Sequence, residues 1–291
     1  MFAGTGLPLV TPFTPEGDID EAALADLVGW IEQRGIDFVV PCGSTSEAPL
    51  MTTEERTRTV EVVADAADVP VMAGTGQPSL SRTVATTEAA AEAGADAALV
   101  VTPYYYSHGQ AALAEYYRDL ADESPIPVYL YSVPAYTDTP IEPETVAGLA
   151  EHPNIRGMKD SSGDIGNLTR LVRLTADAEF DVFVGSGSVY AAALGAGAAG
   201  GIVAVANAVP EVASGVHERF AAGEEAAARE LNAALVELDH AGTTVHGVPG
   251  MKAAMRGRGA PAGHARPPFQ PVDAGTEERF DELVAAALDA L

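Results

Sequence analysis

The stretch "DAALVVTP", Asp96 to Pro103, decides the fold. From Ala97 to Val101 the run is apolar throughout, whereas a strand with one wet face would alternate. A short unbroken run suits a parallel strand covered on both faces by helices. A periodic segment follows, predicting a helix from about Gln110 to Ala121. The same order recurs upstream. "GLPLVTP" precedes a helix from about Asp20 to Arg34. "IDFVVPC" precedes a helix opening at Thr52, where Glu55 three residues on completes a capping box. "VPVMAGT" leads to a helix through Ala93. Downstream, "IPVYLYS" leads to a helix from Pro143 to Ala150 and "IRGMK" to one from Ile165 to Thr175. "FDVFVG" leads to a short helix over 188–196, and "GGIVAVA" is the eighth strand-like run. Eight such units predict an α/β fold, a (β/α)8 barrel over 1–208, with a doubly wound open sheet as the alternative. Helical patterns over 209–222, 224–241, 251–257 and 276–290 predict a C-terminal helical extension, 209–291, packed on the barrel.

Charge narrows the partners. The 291 residues carry Asp+Glu 42 against Lys+Arg 16, a net charge of −26. Such a surface repels nucleic acid and anionic membranes. The acids are scattered along helices, and lysine survives only at Lys159 and Lys252. That composition suits high salt, where screening relieves self-repulsion. One cysteine, Cys42, excludes an intramolecular disulfide. No apolar run approaches the ~20 residues a membrane span needs, and "MFAGTGLPLVTPF" lacks a signal-peptide pattern, so a soluble cytoplasmic protein is expected.

Barrel chemistry sits at the C-terminal ends of strands. Those positions hold "CGSTSEA", "TPYYY", "YLYSVP", "GMKDSS" and "VGSGS": one lysine, several tyrosines and many hydroxyls. The six histidines form no ligand motif, so no metal is expected. A lysine desolvated in an apolar barrel mouth is suited to forming an imine with a carbonyl, and a neighbouring tyrosine to moving protons. The plainer reading, a lysine snorkelling from the rim, is weakened by a surface that has shed lysine; for Lys252, in the helical tail, a structural role is expected. Tyr104, Tyr105 and Tyr106 could be rim packing, Ser161 and Ser162 could cap the next helix, and "SVPAYTDTP" reads as a plain loop by composition. "GAGAAG", Gly195 to Gly200, matches a dinucleotide fingerprint, but it closes a helix and feeds a strand, the reverse of the required order.

"GSTSEA", "TPYYY", "YSVPA" and "GMKDSSGD", in this order and spacing, resemble the N-acetylneuraminate lyase/dihydrodipicolinate synthase family of pyruvate-dependent class I aldolases, and the likeness runs from "LVTPF" into "GVPGMK". The resemblance implies that Lys159 forms the imine with a 2-oxo acid, with no cofactor, and that Tyr131 relays protons. It implies that Ser44 and Thr45 hold the pyruvate carboxylate, and that Tyr105 crosses a dimer interface within a homotetramer, a dimer of dimers. Tyr136, Ser161, Gly185 and Ile202 are the further substrate contacts it implies. Ser46 departs from the family's usual glycine, which often marks a positive φ. Tyr136 stands where dihydrodipicolinate synthases carry a carboxylate-clamping arginine, and Gly187 and Ser188 stand where sialic-acid lyases carry acids. These departures favour an uncharged polyol: a 2-keto-3-deoxy sugar acid such as 2-keto-3-deoxygluconate. 4-Hydroxy-2-oxoglutarate is the close alternative, then dihydrodipicolinate synthesis. A non-catalytic barrel that binds 2-oxo acids is the rival of another class, and it would be expected to lose Lys159 or Tyr131.

Overall fold

The structure is a computed structural model that describes residues 2–291. Eight parallel strands carry the barrel: β1 Gly4–Leu7, β2 Phe38–Val39, β3 Met72–Gly74, β4 Ala97–Val101, β5 Val128–Ser132, β6 Ile155–Asp160, β7 Asp181–Val184 and β8 Gly200–Ile202. Their order in the sheet is β2-β1-β8-β7-β6-β5-β4-β3. A parallel bridge between Val39 and Val71 joins β2 to the start of β3 and brings the two ends of the sheet together. Pairing of the first strand with the eighth excludes the doubly wound sheet.

Helices α1 Glu21–Glu32, α2 Thr53–Ala66, α3 Leu80–Glu92 and α4 Gln110–Glu123 follow the first four strands. Next come α5 Pro134–Thr137, α6 Pro143–Leu149, α7 Ile165–Leu174 and α8 Tyr190–Gly195. Local signals fix their starts. The Asp20 carboxylate accepts the Ala23 N–H, and Thr52 and Glu55 form the expected reciprocal capping box. The turn α5 lies inside "SVPAYTDTP", read from sequence as a loop; Pro134 occupies its first position, where a missing N–H goes unnoticed. Gly195–Gly200 closes α8 and opens β8, with Gly197 at φ +99°, a helix-to-strand turn.

Alternation along each strand sorts side chains between two cores. Ala98, Val100, Leu130 and Met158 face the helix layer, while Leu99, Tyr129, Tyr131 and Phe183 face the barrel axis. The interior contains an aromatic cluster. Phe38 meets Phe2 edge-to-face at 5.1 Å and Phe183 at 5.6 Å, contacts each worth roughly 0.5–1.5 kcal/mol beyond burial. Gly157 makes room for it, since a Cβ there would stand 2.5 Å from the Tyr129 ring.

After β8 the chain forms α9 Pro210–Ala221, α10 Glu225–His240, a π turn over Ala241–Val245, α11 Gly247–Gly257 and α12 Ala274–Leu288. Helix α11 starts four residues before the expected 251–257 piece and takes Pro249 within its first turn, where no intrahelical N–H bond is lost. Leu231, Leu235, Leu238, Met251 and Phe280 belong to the same apolar cluster as the barrel's outer layer.

Candidate active site

Parity and register bring two functional groups together. Lys159 follows Gly157 by two residues and so points inward, and its partner across β5–β6 is Tyr131. The Lys159 ammonium nitrogen lies 4.4 Å from the centre of the Tyr131 ring. Lys159 is 5% exposed, and no carboxylate among the described residues pairs with it. A cation over an aromatic face in a dry barrel gains some electrostatic support, but far less than an ion pair provides.

The turn after β6 is tied down by Asp160. Its carboxylate accepts the Ser162 N–H at 2.9 Å, the Ser162 hydroxyl at 3.0 Å and the Asn167 amide at 3.0 Å. The cap of α7 is Asp164, whose carboxylate accepts the Asn167 N–H at 3.0 Å, so of the two readings left open for Ser161 and Ser162 the helix cap is not the one the structure shows. Ser161 and Lys159 both crowd Gly185; a Cβ there would collide with the Ser161 hydroxyl and stand 2.9 Å from the Lys159 Cε.

The "GSTSEA" loop is braced from three sides. Ser46 does not take a positive φ; the left-handed residue is its neighbour Glu47, at φ +61°. The buried Ser46 hydroxyl donates to the Leu9 carbonyl and accepts the Gly43 N–H at 3.2 Å, fixing the loop to the chain after β1. Glu47 Oε1 accepts from Lys252 at 2.6 Å, and both side chains are fully buried. Lys252 also donates to the Thr11 and His264 carbonyls at 2.6 Å each, the structural role expected of it. Arg56, 4% exposed, donates from Nε to the Ala48 carbonyl at 3.0 Å and from Nη1 to the Gly76 carbonyl at 3.3 Å. Beside it, burial pushes the Cys42 thiol up to about 12.

These elements enclose a cavity of about 410 Å³ at the C-terminal mouth. Lys159, Tyr131, Ser44, Thr45, Tyr136, Ser161 and Gly185 all reach its wall. Two of the expected residues do not. Ile202 is sealed in the barrel interior with Phe38 and Phe183. Tyr105 is 87% exposed at φ +83° and stacks edge-to-face on Tyr106 at 4.9 Å. The wall also takes Asp239, Thr243 and Thr244 from the end of α10 and the π turn. Sequence reasoning missed these, because they approach through tertiary packing from a segment with no barrel-end signal.

The dihydrodipicolinate synthetase family model matches residues 1–287. A 4-hydroxy-tetrahydrodipicolinate synthase of Methanothrix thermoacetophila is 37% identical over 289 residues, 99% of this chain and 98% of that one. An uncharacterized DapA-like lyase of Halobacterium salinarum is 38% identical over 268 residues, 91% of this chain and 88% of that one. Among solved structures, YagE of E. coli K12, a member of the dihydrodipicolinic acid synthase family in complex with pyruvate, superimposes with a TM-score of 0.94 at 29% identity. That match covers 99% of both chains.

Proposed function

The chain belongs to the dihydrodipicolinate synthetase family, pyruvate-dependent lyases that form a Schiff base, and from that premise we propose that it reversibly cleaves a 2-keto-3-deoxy sugar acid to pyruvate and an aldehyde. One observation carries the choice of substrate. The cavity wall carries the hydroxyls of Ser44, Thr45, Ser161, Ser186, Thr243 and Thr244 beside apolar residues such as Val133, Val248 and Met251, and among its lining residues the only cation is Lys159. Tyr136, where a guanidinium would clamp a second carboxylate, is a neutral phenol. Hydroxyls with no second cation suit an uncharged polyol chain.

The geometry supports the following steps. Lys159, as the free amine, attacks the keto carbon of a substrate whose carboxylate lies against Ser44 and Thr45, and water leaves as the imine forms. Tyr131 passes the protons of that exchange. It then takes the proton of the C4 hydroxyl as the C3–C4 bond breaks and its electron pair enters the enamine. The aldehyde departs, C3 is protonated, and water returns to release pyruvate. No metal or organic cofactor takes part in this scheme.

Tyr105, exposed and held in a left-handed conformation unfavourable to a bulky residue, supports the reading that it enters a neighbouring subunit's site in a homotetramer. The acidic composition supports a protein adapted to high salt; the proposed setting is the cytoplasm, with carbohydrate-derived acids as substrates. Among the described residues, no helix is long and apolar enough to cross a membrane.

A second reading, 4-hydroxy-tetrahydrodipicolinate synthesis, is favoured by the name of the Methanothrix relative. Pyruvate release from sugar acids and from 4-hydroxy-2-oxoglutarate, set beside condensation of pyruvate with aspartate semialdehyde, tests the choice. Sugar-acid cleavage is expected to dominate; fast condensation with aspartate semialdehyde and no cleavage would overturn it.

A further inference from the structure

A carboxylate reaches the cavity from outside the barrel. Asp239, in the last turn of α10, is 4% exposed and lies on the cavity wall. Its Oδ2 accepts the Ser188 N–H at 2.9 Å. Gly187 makes the space for it: a Cβ there would stand 2.9 Å from Asp239 Oδ1. Burial raises the pKa of Asp239 above the usual carboxylate range, against the opposing hydrogen bonds from Ser188 and Gly187 and the nearby His240. Beyond Asp239 the helix loosens into the π turn, and Thr243 and Thr244 come onto the same wall. Single π turns are common where a helix is bent to serve a site.

A bland account is available, in which Asp239 merely braces the loop after β7. That loop is already held from two turns earlier in α10. Asn232 donates to the Gly187 carbonyl at 2.7 Å and accepts the Ala191 N–H at 2.9 Å. A buried carboxylate that faces no cation is a costly brace even with the Ser188 N–H bonded to it, since charge taken from water needs several hydrogen bonds or a cation to offset it. Hydroxyl donors on a bound ligand would add to the bond from Ser188.

We propose that Asp239 is a specificity-determining residue that accepts hydrogen bonds from the hydroxyls of the aldehyde-derived half of the substrate. The proposal rests on the sugar-acid reading and deepens it. The residues after β7 carry no acid, and the acid arrives instead from α10 through the gap at Gly187. A negative charge there also disfavours aldehydes bearing a carboxylate of their own.

The test compares condensation of pyruvate with glyceraldehyde and with propionaldehyde, which has the same carbon chain and no hydroxyls. Wild type, Asp239→Ala and Asp239→Asn are measured side by side. The glyceraldehyde-to-propionaldehyde ratio of kcat/KM should fall roughly 10- to 100-fold in Asp239→Ala and less in Asp239→Asn, which keeps a polar group. An unchanged ratio, or equal loss on both aldehydes, means a structural brace and overturns the proposal. So does a wild type that uses neither aldehyde. If Asp239→Ala does not fold, the near-isosteric Asp239→Asn decides: its ratio must still drop. Should the wild type prefer aspartate semialdehyde, the sugar-acid reading fails by itself, and the aldehyde ratio still decides the role of Asp239.

Discussion

Lys159 and Tyr131 meet because each sits two residues beyond another inward-facing position, and because β5 and β6 pair them in register. A lysine so placed should be the site of covalent capture. Borohydride added with pyruvate is expected to fix one adduct, mapped by mass spectrometry to Lys159. An adduct on Lys252 alone would contradict the scheme, and Lys159→Arg should abolish turnover. Tyr131→Phe removes one hydroxyl and little volume, so a loss on the order of 10²–10⁴ in kcat with an intact fold is expected of a proton relay. Near-wild-type rates would assign the relay elsewhere. This pair was legible in the sequence, since lysine scarcity marked Lys159, and the strand-end position of "YLYSVP" and the family resemblance marked Tyr131. Asp239 and Arg56 were not. In "VELDHAGTT" the aspartate resembles any solvated helical acid, and only the packing of α10 against the β7 loop buries it.

At the scale of elements, the loop after β2 shows how distant parts of the chain hold a site. Its expected weak point, Ser46 in place of glycine, is met by moving the left-handed conformation to Glu47, whose carboxylate the buried Lys252 holds. No local rule could announce this, because the partners are 205 residues apart. Lys252→Met should leave the buried Glu47 without a cation, keeping only the Arg266 N–H at 2.7 Å, and lower stability by about 3–5 kcal/mol. Adding Glu47→Leu should recover much of that loss, read by chemical denaturation across a double-mutant cycle. Independent, additive losses would show that the pair is not coupled. Glu55 supports the same region. Hydrogen bonds from Arg266 at 2.6 and 2.9 Å hold its carboxyl below the ordinary range. A depressed carboxyl contributes stability that is fully present above its unfolded pKa of ~4.3 and lost as pH falls through the lower folded value. Glu55→Gln keeps the capping box and loses this charge, so its destabilisation, about 1 kcal/mol at pH 7, should vanish in acid. A penalty independent of pH would mean that charge is not what Glu55 contributes.

The whole molecule must contain a net charge of −26. Many of its few cations are already committed to ion pairs, among them Arg58 with Glu21, Arg156 with Glu179 and Arg258 with Glu211. The remaining acids therefore repel one another across the surface, over a screening distance of ~10 Å at 0.1 M salt and ~3 Å at 1 M. Melting temperature should rise steadily with potassium chloride over that range. Association adds to the same repulsion, because joining two strongly negative bodies brings their fields together. Tyr105 and Tyr106 lie at the exposed surface where such contact would cover them. Low salt should then dissociate the proposed homotetramer, and activity should fall over the same salt range if Tyr105 completes a neighbour's site. Multi-angle scattering and pyruvate release, measured on the same samples between 0.1 and 2 M potassium chloride, check this directly. Tyr105→Ala should cut kcat even at high salt, which favours the proposed assembly. A monomer that is fully active at every salt concentration would show that each barrel carries its site alone.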